Sequence, residues 1–126
     1  MKVSNVTTII IAAILAYTLY SCGKRSPKYV IGVSQCSDDI WRSKMNDELR
    51  IASFAQDGIS MKILSAKDNA EKQIEQINQL VDMGADLIIV APIQEKVSKA
   101  IDRAYDKGIP VIVFDRKTNS NKYTAY

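Results

Sequence analysis

The sequence predicts an α/β domain: a doubly wound parallel sheet, strand order 2-1-3-4, flanked by helices on both faces. Three observations carry this expectation. Short apolar, β-branched runs alternate with segments whose apolar residues recur at helical spacing, as repeated βα units require. The run at 111–114, Val-Ile-Val-Phe, has no polar break, as in a strand covered on both faces. Gly58-Ile59-Ser60, Gly84-Ala85-Asp86 and Gly108-Ile109-Pro110 each close a helix and launch a strand, 26 and then 24 residues apart. That is one helix-turn-strand unit per step, too irregular for a solenoid. Right-handed crossovers then leave few orders, and 2-1-3-4 puts the switch point between strands one and three.

The first strand is Tyr29-Val30-Ile31-Gly32-Val33, followed by a polar loop ending in Asp38-Asp39. A helix starts near Asp39, because an Asp accepts from free amides at the positive helix end. Trp41, Met45, Leu49 and Ala52 make its expected apolar face, and Asp57-Gly58 stops it. Strand two covers 59–66, with Met61 and Ile63 alternating against Ser60 and Lys62 as on an edge. Asp68-Asn69-Ala70-Glu71 resembles a capping box with Asp68 as the cap, ahead of a stripe of Ile74, Ile77, Leu80 and Val81 that Gly84 ends. Strand three is 86–90, bounded by Ala91-Pro92. Helix three spans 94–107 with Val97, Ile101, Ala104 and Tyr105 inward, and the 111–114 strand follows. A β-prone run, Tyr123-Thr124-Ala125-Tyr126, closes the sequence and reads as a strand begun and not completed, the mark of a fragment.

The 126 residues, 47% hydrophobic and 25% charged, have the composition of one globular domain. The net charge of +3 comes from scattered residues, so no nucleic-acid partner is indicated. Without histidine, His-dependent triads and the commonest metal ligand are excluded. Two cysteines, Cys22 and Cys36, are too few for a disulfide scaffold, and Cys36 reads as a small buried apolar residue.

The first 22 residues read as an export or anchoring segment, 23–28 as a linker and 29–126 as the domain. Met1-Lys2 gives a positive start, and 6–19 is apolar apart from Thr7, Thr8 and Thr18. That run is short for a hydrocarbon core of about 30 Å, which needs about 20 residues, but suits a signal-peptide core. Leu19-Tyr20-Ser21-Cys22-Gly23 resembles a bacterial lipobox, in which Cys22 is lipidated; Tyr20 departs from the small residue usual there. An uncleaved anchor and an ordinary signal peptide with a free Cys22 are the alternatives. All three export the rest of the chain. Lys24 and Arg25 after the apolar run weigh against a simple anchor topology.

In an open α/β sheet, ligands sit beyond the carboxyl ends of the strands near the switch point. The loops after strands one, three and four therefore bring Ser34, Asp38 and Trp41, Pro92 and Gln94, and Asp115 and Arg116 to one crevice. Asp accepts from hydroxyls and Arg donates through a rigid fork, a pairing suited to a small polyol or sugar. Trp41 offers an aromatic face to a sugar ring or packs in the core, and Asp38 accepts from a ligand or helps cap the helix. A phosphoacceptor receiver domain also pairs acidic residues with a later Asp. Here, however, Asp38-Asp39 lies beyond the strand end, Asp115 follows strand four, and export removes the phosphoryl donors. The sequence calls for no enzyme and no cofactor: there is no glycine-rich phosphate loop, nucleophile–base pair or metal-ligand spacing.

Residues 29–126 resemble the amino-terminal lobe of type I periplasmic binding proteins, the ribose-binding-protein-like group. The matching phrases are Tyr29-Val30-Ile31-Gly32-Val33-Ser34, Gly84-Ala85-Asp86-Leu87-Ile88-Ile89-Val90-Ala91-Pro92 and Gly108-Ile109-Pro110-Val111-Ile112-Val113-Phe114-Asp115-Arg116. The resemblance implies an incomplete lobe whose carboxyl-terminal partner lobe is missing. It also implies a small sugar ligand, with contacts from Asp115, Arg116, Asp38 and Trp41. A second aromatic of that group falls on Ile40, so one stacking contact is lost or altered. Ser34-Gln35-Cys36-Ser37-Asp38-Asp39-Ile40-Trp41-Arg42 with Met45-Asn46-Asp47-Glu48, and Asp115-Arg116-Lys117 with 122–126, resemble more narrowly the periplasmic sensor of hybrid two-component histidine kinases. That implies a membrane-tethered protein on the periplasmic side of the inner membrane, with a kinase as partner. The alternative is a solute-binding lipoprotein serving the permease of an ABC sugar transporter.

Overall fold

The computed structural model of the chain describes residue 10 and residues 27–126. Apart from Ile10, the apolar run lies outside the described residues, as do Cys22 and most of the linker. Within them, β1 (Tyr29–Gln35), α1 (Ile40–Phe54), β2 (Ile59–Ser65), α2 (Ala70–Asp82), β3 (Leu87–Val90), α3 (Ser98–Asp106) and β4 (Val111–Val113) alternate in order. The strands form one parallel sheet, β2-β1-β3-β4, with Ile31 beside Leu87 and Ile88 beside Val111. The order is the one expected from the sequence on the rule that β-helix-β crossovers are right-handed. No helix among the described residues is long and apolar enough to cross a membrane.

Alternation along β1 assigns the helices to faces. Gly32 and Ser34 meet Leu80 and Gln73 of α2, whereas Gln35 reaches Asn46 and Met45 of α1. The principal core lies on the α2–α3 side, where Ile77, Leu80, Ile101 and Ala104 close over Ile88, Val90, Val111 and Val113. A Cβ at Gly32 would meet both methyl carbons of the fully buried Leu80 at 2.8 Å, so glycine lets α2 approach the sheet. Gly32→Ala is expected to destabilise the fold by about 1–3 kcal/mol through overpacking, read as a lowered urea midpoint at unchanged slope.

Several boundaries differ from the sequence expectation, each for a local reason. β1 runs on through Ser34 and Gln35, whose side chains find partners inside the fold: the Ser34 hydroxyl accepts from Gln73, and the Gln35 amide nitrogen donates to Asn46 Oδ1. The cap of α2 is Asn69, accepting from the Lys72 amide at 2.9 Å, rather than Asp68. Lys67 and Asp68 both adopt positive φ, which turns the chain so that Asn69 is the last extended residue before the helix. The expected helix at 94–107 is split into a 3-10 turn (Glu95–Val97) and α3, and Tyr105 is exposed, with Ala100 in its place on the core face.

The inward face of α1 is also rotated. Arg42 is buried, Met45, Asn46, Leu49 and Ser53 are half-buried, and Trp41 and Ala52 face solvent. The buried stripe therefore carries a guanidinium and an amide as well as apolar groups, which the apolar spacing of Trp41, Met45, Leu49 and Ala52 could not indicate. At the end of the sequence, Ala125 forms a parallel bridge with Ile112, and the Val113 amide donates to the Ala125 carbonyl at 3.0 Å. The β-prone run thus lies along the free edge of β4.

Candidate functional site

The carboxyl ends of all four strands open on one rim. At the β4 end, the Phe114 amide still donates to Val90 at 3.0 Å, and the chain then leaves the sheet. Asp115 has φ 70°, a left-handed conformation that costs a non-glycine residue energy and that Asp tolerates better than most. Asp115 thus combines a left-handed backbone at a strand end with a carboxylate that makes tertiary contacts.

The β1–α1 loop supplies the other side. Asp39 caps α1, its carboxylate accepting from the Arg42 amide at 2.9 Å and from the Ser37 hydroxyl. The Ser37 hydrogen bond, followed by that of the Arg42 amide, holds the Asp39 carboxyl below the usual carboxylate range. The cap fixes the first turn and with it Trp41 and Arg42. The Arg42 side chain crosses to the β4 end, where Nη2 pairs with Oδ2 of Asp115. Its guanidinium carbon lies 5.1 Å from the Trp41 ring centre and 5.4 Å from that of Phe114, within cation–π range of both. Arg116 Nε stands 3.8 Å from the same Asp115 oxygen.

Trp41, Asp115 and Arg116 are thus brought together, with Arg42 as the link between the two loops. Asp38 lies on the same rim but turns toward the β2–α2 loop, with Oδ2 3.6 Å from Lys67 Nζ. Trp41 is 63% exposed, so its indole face is available on the rim instead of packed in the core. Ser34 is not a crevice group: it is fully buried in β1, where its hydroxyl accepts from Gln73. Cys36 is buried, as expected of a small apolar residue.

Gln73 braces this rim from below. Its Nε2 donates to the Ala91 carbonyl at 2.8 Å and its Oε1 accepts from the Ile93 amide at 2.9 Å, pinning the β3–α3 loop to α2. Gln73 and Arg42 were both missed from sequence. Their one signal was position: each completes a helical stripe with apolar neighbours, Gln73 four residues before Ile77 and Arg42 three before Met45.

The periplasmic binding protein domain model matches residues 30–126. The chain belongs to this family. Its lobe is similar to the fructose-binding periplasmic domain of a hybrid two-component system, at 50% identity and a TM-score of 0.72 over 78% of this chain and 33% of that one. It is similar to the D-xylose-binding periplasmic protein of Escherichia coli K12, 23% identical over 129 residues that cover all of this chain and 38% of that protein. A third likeness is to an ABC transporter solute-binding protein from Clostridium phytofermentans with bound β-D-glucose. That match has 26% identity and a TM-score of 0.62, over 75% of this chain and 30% of the other. The chain therefore spans about a third of the length of these periplasmic binding proteins.

Proposed function

We propose that this periplasmic binding protein chain forms the amino-terminal lobe of a two-lobe carbohydrate receptor. In this reading the receptor sits on the periplasmic side of the membrane, as the sensor region of a hybrid two-component histidine kinase. The observation that carries the carbohydrate reading is the strained Asp115 beside Arg116 at the end of β4, joined through Arg42 to the exposed Trp41. A carboxylate acceptor, a guanidinium donor and an aromatic face match the hydroxyls and the apolar face of a monosaccharide-sized ligand. Asp38, at the same rim, adds a second acceptor. Closure of the second lobe over the ligand would bias the kinase partner.

The sensor role is supported by the 50% identity to the fructose-binding domain of a hybrid two-component system. The second reading, a solute-binding lipoprotein lipidated at Cys22 and serving an ABC permease, is favoured by the likeness to the transporter protein with bound glucose. The DNA downstream of the codon for Tyr126 separates the two. A second lobe followed by a membrane segment and kinase supports the sensor; a stop after the second lobe supports the transporter.

The ligand site is tested by calorimetry on the full-length polypeptide that carries this chain. D-fructose, D-xylose and D-glucose are titrated in turn. Arg116→Ala is expected to weaken binding of the preferred sugar by about 2–3 kcal/mol, because a charged donor is removed from closed-off hydroxyls. Unchanged affinity would place the site elsewhere.

A further inference from the structure

Among the described residues, Arg42 is the one charged side chain that is buried, at 5% exposure. Its chemistry is not exhausted by the fold. Nη2 is committed to Asp115, while Nη1 is buried with no hydrogen-bond partner among the described residues. A buried donor left unpaired costs about 1–3 kcal/mol, and a methionine of similar length could pack beside Trp41 and Phe114 without that cost. A position kept for packing alone has no use for a guanidinium.

What the guanidinium does is visible at Asp115. Both cationic contacts of that carboxylate, from Arg42 and from Arg116, fall on the same oxygen, Oδ2. The hydrogen bond from Arg42 ties down Oδ2, and Oδ1 makes no hydrogen bond among the described residues. Two aromatic rings, Trp41 and Phe114, stand within cation–π range of the same guanidinium.

We propose that Arg42 is the positioning residue of the ligand site: it locks Asp115 so that Oδ1 is presented to a single hydroxyl of the bound carbohydrate. This rests on the carbohydrate reading above and adds the specificity element to it. Asp115 then accepts from one hydroxyl and does not straddle a vicinal pair, and the selectivity of the site depends on a residue of α1 that acts through Asp115.

The test is a double-mutant cycle on the full-length polypeptide, using the sugar that binds most tightly among D-fructose, D-xylose and D-glucose. Arg42→Met is expected to weaken binding about tenfold or more, with Arg42→Lys, which keeps the charge and loses the fork, between it and wild type. Asp115→Asn weakens binding as well. The double variant Arg42→Met with Asp115→Asn is expected to bind within about twofold of Asp115→Asn alone, because Arg42 has nothing left to position. Thermal melts accompany each titration, and Arg42→Lys supplies the cycle if Arg42→Met does not fold. Losses that multiply in the double variant, or an Arg42→Met protein with wild-type affinity, overturn the positioning role while leaving the carbohydrate reading intact. A wild-type protein that binds none of the three sugars overturns both.

Discussion

Asp115→Ala is expected to abolish measurable sugar binding and to destabilise the lobe. Both effects come from one carboxylate. On the ligand side it removes the acceptor at the end of β4. On the protein side it leaves the buried Arg42, close to the Trp41 and Phe114 rings, without its ionic partner. Removing one member of a buried pair costs about 3–5 kcal/mol when both ends are enclosed. Asp115 is 37% exposed, so solvent screens part of the loss and about 2 kcal/mol is the expected cost. A compensating variant separates the two effects. Adding Arg42→Met to Asp115→Ala removes the stranded charge, so the urea midpoint should return most of the way to wild type while sugar binding stays absent. If the single variant unfolds like wild type, the Arg42–Asp115 pair is not the link between the two loops.

Gln73→Leu should be the most damaging single substitution in the α2 helix that keeps side-chain volume. Gln73 is fully buried, and its amide is used at both ends: Nε2 on the Ala91 carbonyl and the Ser34 hydroxyl, Oε1 on the Ile93 amide. Leucine fits the space and leaves the buried Ala91 carbonyl and the partly buried Ile93 amide unpaired, for a total of about 2–4 kcal/mol. The consequence reaches the site, since the β3–α3 loop that Gln73 pins lies on the same rim as Asp115. Equilibrium urea unfolding measures the first effect. Faster hydrogen exchange at the Ile93 amide, with β1 amides unchanged, would show that the loop has come loose locally. A Gln73→Leu protein as stable as wild type would mean that these groups find other partners.

How much of this was legible in the sequence follows from what hydropathy can report. The sheet order was readable because each strand is an apolar run and each helix has enough apolar residues at helical spacing to set the crossovers. Asp115, Arg116 and Trp41 were readable as rim residues because they stand directly after β4 or in the first turn of α1, positions that connectivity alone sends to the carboxyl end of the sheet. Asp38 was placed on the right rim, but its partner there, Lys67, belongs to a turn whose positive φ angles at Lys67 and Asp68 have no signature in residue type. The buried polar groups were not legible. Arg42, Gln73, Ser34 and Gln35 are interior because each finds a specific partner from a distant part of the chain, and no local pattern reports such a partner. The rotation of α1 has the same origin. A stripe through Arg42, Met45, Asn46, Leu49 and Ser53 has the right period, and only its polarity hid it.

The carbohydrate assignment rests on where the ligand meets the lobe, and a crystal structure of the full-length polypeptide with its preferred monosaccharide addresses that point. One ligand hydroxyl should lie within hydrogen-bond distance of Asp115 Oδ1, with Arg116 donating to the same molecule and the Trp41 ring against its apolar face. A sugar bound away from the end of β4, with Asp115 and Arg116 making no contact to it, would refute the assignment.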